Sequence, residues 1–342
     1  MSDKTPNCWA PTDRDIALTA KSCQGQLDMG QIHTLITQLG RDQAKALQTD
    51  PDQRSLVDVA AAVLEEERQE LGITYSGFAL TALPHRRLPD DQPWERRGHK
   101  IRLLIEPGRL PIRNGGFKLY GVPYGSRARM ILLYLQTRAI QTDSREVELG
   151  RSMHEWLDRM GLSVGGQTYR DIREQASRIA ACNLTFAWED AHSIGFEKGS
   201  IVKGGIHFST NAGAEPGQGS LWEDRVLLSE AFFRELKAHP VPIWEPALRH
   251  IQNNSTSIDI YIWLAYRLHS LNRSTPITWP AVFEQFGAGY SRLRDFRKRF
   301  IEALQLALAV YPDARVDVEE QGLMLHPSPP PIPERKFAQL CR

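Results

Sequence analysis

The feature that most constrains the fold is one order of predicted elements that occurs twice along the chain. Each copy has a helix, a short strand, a second helix, a glycine turn, a long third helix and two strands. The first copy begins with the helix 127–141 and the second with the helix 257–271. This order is typical of a winged helix, in which a β-hairpin follows a helix-turn-helix. The sequence therefore predicts an α+β fold with two tandem winged-helix domains.

The remaining elements follow from apolar spacing, glycine turns and helix-start residues such as Ser126, the predicted cap of the first helix. The first copy continues with the strand 145–149, the helices 152–160 and 167–181 around the turn 161–166, and the strands 183–189 and 201–209. The second copy continues with the strand 277–279, the helices 280–286 and 291–310 around the turn 287–289, and the strands 314–319 and 323–326. Upstream of both copies, helices are predicted over 31–47 and 53–71, and strands over 73–83 and 101–105.

These elements predict four regions. Residues 1–50 are an N-terminal segment, and residues 51–238 are a first winged-helix domain with an added helix and strands at its N-terminal end. Residues 239–330 are the second winged-helix domain, and residues 331–342 are a C-terminal tail that follows a proline-rich stretch.

The overall charge conceals strong local charge. With 42 Lys and Arg against 41 Asp and Glu, the net charge is +1, which by itself argues against a nucleic-acid partner. Residues 50–72, however, hold seven acids and two bases, residues 86–138 hold twelve bases and four acids, and residues 290–302 hold five bases and two acids. Because charges farther apart than about 8–10 Å are screened, these blocks govern the local field. The sequence therefore predicts basic faces directed towards DNA.

The third helix of each copy carries cations on a face apart from its apolar stripe. The tetrapeptide that starts at Arg170 (RDIR) matches the one that starts at Arg294 (RDFR), and both follow a glycine turn. Arginine binds guanine O6 and N7 together, so these helices fit a major groove. The alternative is that these cations form salt bridges on a solvated helix surface and do not bind DNA. The predicted DNA-binding residues are Gln167, Thr168, Arg170, Arg173, Ser177, Arg292, Arg294, Arg297 and Lys298 on the helices, Lys198 and Lys203 in a wing tip over 190–205, and Arg127 and Arg129 as backbone anchors.

Catalytic and metal-binding motifs are missing from the sequence. It has no phosphate-binding Gly-x-x-x-x-Gly-Lys-Ser/Thr loop, and Asp158 stands where a His-Glu-x-x-His motif would need its second histidine. The ten histidines never lie two residues apart, as a paired-histidine metal site would require. We therefore predict no catalytic activity, no metal and no cofactor. Four scattered cysteines, no apolar leader and no apolar run of about 18 residues predict a cytoplasmic protein without a membrane span.

Several longer motifs resemble one family. PYGSRAR at 123–129, TDSREVELG at 142–150, the glycines at 161 and 165–166, and Gln175 with Arg178 are similar to the plasmid-encoded RepA replication initiators. LPHR at 83–86 and DIYIWLAYR at 259–267 resemble the same family, and the similarity runs from about Phe78 to Ser328. The resemblance implies a bacterial protein that binds repeated sequences (iterons) in double-stranded plasmid origin DNA. Analogy with winged-helix plasmid initiators implies a change between monomer and homodimer, and recruitment of a host initiator and helicase.

Three alternatives remain open at this point. A transcriptional repressor would use the same winged helices, and an origin-nicking or priming enzyme would need carboxylates that converge only in space. An interaction scaffold would use winged helices for protein partners.

Overall fold

The computed structural model describes residues 32–68, 70–98, 100–112, 115–189, 194–204 and 225–332. Over these residues the fold is α+β, with small antiparallel sheets between helices, so the α+β part of the predicted fold is confirmed. The described helices include none that is long and apolar enough to cross a membrane.

Three helices precede the repeated units: α1 (Ile32–Leu39), α2 (Arg41–Ala46) and α3 (Pro51–Leu64). The single helix predicted over 31–47 is interrupted at Gly40, whose φ of +80° favours glycine. Asp50 caps α3 by accepting a hydrogen bond from the Asp52 amide. The helix predicted over 53–71 is too long, because the acidic run after Leu64 has no apolar side chain to bury.

A short strand, β1 (Leu71–Tyr75), and a one-turn helix, α4 (Ser76–Leu80), come next. The strand predicted over 73–83 is therefore wrong after Tyr75, where the chain turns into α4 and buries Ala79. The next four strands are β2 (Trp94–Gly98), β3 (Ile101–Glu106), β4 (Gly108–Pro111) and β5 (Phe117–Tyr120). Strands β4 and β5 pair only with each other among the described strands.

The first repeated unit begins with α5 (Gly125–Gln141), strand β6 (Glu146–Glu148), α6 (Met153–Arg159) and α7 (Gly166–Ala181). Ser152 caps α6 through its hydroxyl, but Ser126 does not cap α5. The cap position of α5 is Tyr124, and no side chain there accepts a hydrogen bond. Helix α5 is buried on nearly every side because β1, α7 and a later helix all pack on it.

The strands that follow α7 are β7 (Asn183–Glu189), β8 (Ile194–Ser200), β9 (Val202–Gly204) and β10 (Arg225–Leu228). Strands β7 and β8 form a hairpin, but it joins a four-stranded sheet in the order β2-β3-β7-β8. The strand that pairs with β6 is β10, which also pairs with β9. The predicted hairpin between the strands 183–189 and 201–209 is therefore wrong, because β9, the described part of the second strand, pairs with β10. Residues 205–224 lie outside the described residues.

The second unit follows α8 (Glu230–Ala238), β11 (Pro240–Trp244), which pairs with β1, and α9 (Glu245–Ile251). It consists of α10 (Ser255–Arg267), β12 (Thr275–Thr278), α11 (Trp279–Phe286), α12 (Leu293–Ala309), β13 (Val316–Val318) and β14 (Gly322–Leu325). Its sheet has the order β12-β14-β13, so the strand between the first two helices pairs with the last strand. All predicted elements of this unit are present, with ends shifted by a few residues.

One continuous apolar core joins the two units. Helix α10 packs against α5 of the first unit and against α12 of the second. At the C-terminal end of α12, the His33 imidazole hydrogen-bonds the Ala309 carbonyl oxygen at 2.9 Å and so attaches α1 to that helix. The third helices α7 and α12 are thus parts of one packed body.

Candidate nucleic-acid interface

Helix α7 presents a polar face with two exposed cations, Arg170 and Arg173. At the start of the helix, Gln167 donates to Asp171 at 2.6 Å and accepts from Arg170 at 2.7 Å. Thr168 and Ser177 are half-buried on the same helix. The predicted residues of α7 are therefore brought to one helix, with the arginine side chains exposed and Gln167 holding Arg170.

The opposite face of α7 is fixed by buried polar contacts. Arg178 is 2% exposed, and it donates to Asp90 at 2.7 Å, to Glu174 at 2.9 Å and to the Val122 carbonyl oxygen at 3.2 Å. The side-chain oxygen of Gln175 accepts from the Tyr124 amide at 2.9 Å. Gln175 and Arg178, two residues of the family resemblance, therefore attach α7 to the segment that enters α5.

Helix α12 exposes Arg292, Arg294 and Lys298 at its N-terminal end, and the Arg294 side chain is 89% exposed. Arg297 is placed differently, because its guanidinium lies 4.8 Å from the centre of the Trp279 ring. Its Nη2 also donates to the Glu319 carbonyl oxygen at 3.3 Å. Arg297 is therefore held against α11 and the β-hairpin, whereas the other three cations extend into solvent.

The hairpin of the second unit ends in a tight acidic turn between β13 and β14. Glu319 and Glu320 are exposed, and the Glu319 amide donates to the Gly322 carbonyl oxygen at 2.9 Å. Trp279 holds this turn in place, since its indole Nε1 donates to the Glu319 carbonyl oxygen at 3.2 Å and its amide to that of Gln321 at 3.0 Å. Two carboxylates therefore lie beside the basic start of α12.

The paired backbone anchors Arg127 and Arg129 lie in different environments. Arg127 is half-buried, donates to the Asn253 side-chain oxygen at 3.2 Å, and its Nη1 has no hydrogen-bond partner among the described residues. Arg129 is 4% exposed and binds both carboxylate oxygens of Asp259, each at 2.6 Å. The prediction that Arg129 contacts phosphate is therefore wrong, because its guanidinium is buried and paired with Asp259.

This ion pair is part of a buried charged cluster between α5 and α10. The Arg129 guanidinium also donates to the carbonyl oxygens of Leu83, Pro84 and Gly125 at 2.8, 3.3 and 2.9 Å. Burial raises the pKa of Asp259, against the opposing effect of Arg129. The neighbouring His85 ring hydrogen-bonds Ser255, and burial together with the nearby guanidinium of Arg129 holds its pKa well below the usual range. His85 is therefore neutral at neutral pH.

The flexible loop predicted over 190–205 is wrong where the structure describes it, because Ile194–Ser200 is strand β8 and Val202–Gly204 is strand β9. Residues 190–193 and 205 lie outside the described residues. Lys198 lies on β8 and forms an ion pair with Glu106 at 2.8 Å. Lys203 lies exposed on β9, at the start of the segment that connects to β10.

The β4–β5 hairpin, which carries exposed Arg109 and Lys118, is absent from the elements predicted from the sequence. A signal in the sequence could have indicated this basic segment, since no Asp or Glu occurs between Glu106 and Asp143.

The described residues contain no group of three His, Cys, Asp or Glu side chains that could hold a metal ion.

Comparisons with known proteins find one matching family model and two similar structures. Among solved structures, selenomethionine derivatives of domain 2 and domain 3 of RctB match with 16% identity and a TM-score of 0.47, covering 73% of this chain and 95% of that one. A second structure of RctB domains 2–3 matches with 14% identity and a TM-score of 0.45, covering 72% and 93%. No curated protein matches the chain. Residues 122–280 match the family model described as plasmid encoded RepA protein, which confirms the resemblance found in the motifs over this region.

Proposed function

We propose that the chain is a plasmid replication initiator that binds repeated origin sequences in double-stranded DNA and has no catalytic activity. One observation carries the proposal: two helix-turn-helix units present exposed cations at the start of their third helices, within matching tetrapeptides. These are Arg170 and Arg173 on α7, and Arg294 on α12. The match of residues 122–280 to the plasmid encoded RepA family model supports the link between this DNA-binding arrangement and replication.

The winged-helix interpretation is part of the proposal. In each unit, the strand between the first two helices pairs with the final strand, β6 with β10 and β12 with β14. This pairing attaches the hairpin to the helix-turn-helix and supports two winged-helix domains over 51–238 and 239–330. The strands of the wing in the first unit would then be β9 and β10, rather than β7 and β8.

Each third helix would enter a major groove with its N-terminal end. Helices placed on one face of a duplex read half-sites about one turn apart, ~34–36 Å. On α12, Arg294 and Lys298 extend into solvent and would contact bases or phosphates. Arg297 would hold the hairpin against the helix, because its guanidinium already stacks on Trp279. On α7, Arg170 and Arg173 take the corresponding role.

Footprinting on the plasmid region that flanks the gene tests this function. We expect protected direct repeats, and a loss of about 1–3 kcal/mol of specific binding for Arg294→Ala and for Arg170→Ala if each arginine reads a base. Arg273→Ala is the matched control, because Arg273 is exposed on the loop before β12, at the end of that sheet opposite the acidic turn. The absence of any sequence-specific protection would refute the proposal.

Further assays separate the alternatives. A plasmid that carries the protected repeats should replicate when the protein is supplied in trans, and a repressor would not support this. Cleavage or synthesis after incubation with origin DNA, divalent metal and nucleotides would identify an enzyme. A protein scaffold would show no salt-dependent DNA binding. Sedimentation with and without DNA tests the proposed monomer–homodimer exchange, and purified host initiator and helicase test the proposed recruitment.

A further inference from the structure

The β4–β5 hairpin projects from the first unit without joining any other described sheet. Its base is fixed to the end of α7: a Cβ on Gly108 would lie 1.7 Å from the Ala181 carbonyl oxygen, so the two backbones are in close contact. On the other side, Arg178 donates to the Val122 carbonyl oxygen at 3.2 Å just after the hairpin. Each strand has four residues, so the hairpin extends about 13 Å from this base at ~3.3 Å per residue.

The outer half of the hairpin is exposed on both of its faces. Strand pairing sets Pro111 opposite Phe117, and Leu110 opposite Lys118. Because side chains alternate along a strand, Phe117 and Arg109 lie on one face, whereas Lys118 lies on the other. Phe117 is 66% exposed. A two-stranded ribbon that leaves an aromatic ring in water on one face and a cation on the other is shaped to enter a groove.

The charge of the hairpin identifies the kind of groove. No acidic residue occurs from 107 to 142, so every charged residue of the described hairpin is a cation. Lys118 lies with its ammonium 5.0 Å from the centre of the Tyr120 ring, which orients the side chain along the ribbon. A polyanion with a groove wide enough for two strands matches this surface, and the major groove of B-DNA admits a two-stranded β-ribbon.

We propose that the β4–β5 hairpin is a second DNA-binding element, which enters the major groove beside the site contacted by α7. Arg109 and Lys118 contact phosphates on the two sides of that groove, and Phe117 contacts base edges such as the thymine methyl group. This inference rests on the proposed function, since it needs α7 on duplex DNA. It adds a contact that extends the recognised sequence beyond the two helix-turn-helix units.

The test uses the full chain and two duplexes of equal length, one bearing a site that the chain selects from a random-sequence library and one of unrelated sequence. Arg109→Gln with Lys118→Gln should weaken binding to both duplexes and make the log–log salt slope less steep by about 1.8, from two lost phosphate contacts. Arg273→Gln with Arg315→Gln is the matched control, because both arginines are exposed on the second unit. This control should keep the parent slope.

Chemical probing locates the groove. In the parent complex, dimethyl sulfate should be excluded from guanine N7 in a stretch beside the α7 site, and Phe117→Ser should restore methylation there. Leu47→Ser, which removes another side chain that is 56% exposed, should leave the protection unchanged. Urea midpoints equal to that of the parent establish that the variants fold.

Several results would overturn the inference. Unchanged salt slope and unchanged protection in the Arg109 and Lys118 variant would remove the hairpin from the DNA. Protection of adenine N3 without guanine N7 would place it in the minor groove instead. Loss of self-association in Phe117→Ser with an unchanged footprint would make the hairpin a contact between copies of the chain. A parent protein that selects no sequence at all would refute the proposed function instead.

Discussion

Removing one partner of the buried ion pair between Arg129 and Asp259 is expected to destabilise the two-unit body strongly, because the other charge is left buried. The side chains of the pair are 4% and 8% exposed, and two guanidinium nitrogens lie 2.6 Å from the two carboxylate oxygens. Asp259→Asn keeps the shape of the side chain but leaves the charge of Arg129 without compensation. Because removing one partner of a buried pair costs about 3–5 kcal/mol, the free energy of unfolding should fall by that amount.

The reciprocal change should behave differently with pH. Arg129 cannot lose its proton, whereas Asp259 can take one up. In Arg129→Met, burial would raise the pKa of Asp259 further, because the opposing effect of the guanidinium is gone. A carboxyl group whose pKa is higher in the folded state binds protons more tightly there, so folding gains stability as pH falls through that pKa. Arg129→Met should therefore be less destabilised at about pH 5 than at about pH 8, and Asp259→Asn should show no such gain.

Urea unfolding followed by tryptophan fluorescence measures both effects. Asp317→Asn is the control, because Asp317 pairs with His326 at 2.8 Å but its side chain is 55% exposed. That change should leave the urea midpoint close to the parent value, since exposed pairs contribute little. A loss below about 1 kcal/mol in Asp259→Asn, or a pH dependence of Arg129→Met equal to that of the parent, would refute the reasoning.

Three further predictions concern other parts of the molecule. Glu319→Gln with Glu320→Gln should tighten binding to unrelated duplex DNA, because both carboxylates repel phosphates beside α12; filter binding at several salt concentrations measures this. Gly108→Ala should lower the melting temperature by several degrees, because its Cβ would lie 1.7 Å from the Ala181 carbonyl oxygen. Cys182 is fully buried, which raises its thiol pKa to about 12, so iodoacetamide at pH 8 should alkylate it only after unfolding, as peptide mass spectrometry would show.

The second unit was largely predictable because its pattern is local. Apolar spacing places the helices, and the strand between α10 and α11 finds its partner β14 within about fifty residues of chain. The turn Gly287–Gly289 separates α11 from α12 as the sequence suggests. Each of these elements is decided by neighbouring residues, so no long-range information is needed.

The first unit was less predictable because distant strands decide its sheets. The periodicity identifies β7 as a strand, but its neighbour β3 precedes α5 in the chain. The strand that pairs with β6 in the sheet of the first unit is β10, from nearly eighty residues away. Strand pairing depends on tertiary packing, and no local pattern distinguishes the inserted β7–β8 hairpin from a wing.

The arginines at the start of α5 show why clustering in sequence misleads about binding. Arg127 and Arg129 are two residues apart on a helix, about 200° in angle, so they must point to different faces. Arg127 donates to the Asn253 side chain, whereas Arg129 faces α10 and pairs with Asp259 in the buried cluster. The two family-like motifs PYGSRAR and DIYIWLAYR therefore each contribute one member of the same ion pair. That ion pair holds the first helix of one unit against the first helix of the other. A rigid contact at this point would fix the separation of α7 and α12. We therefore expect Asp259→Asn to weaken the preference for one spacing between paired half-sites, while each single half-site is still bound.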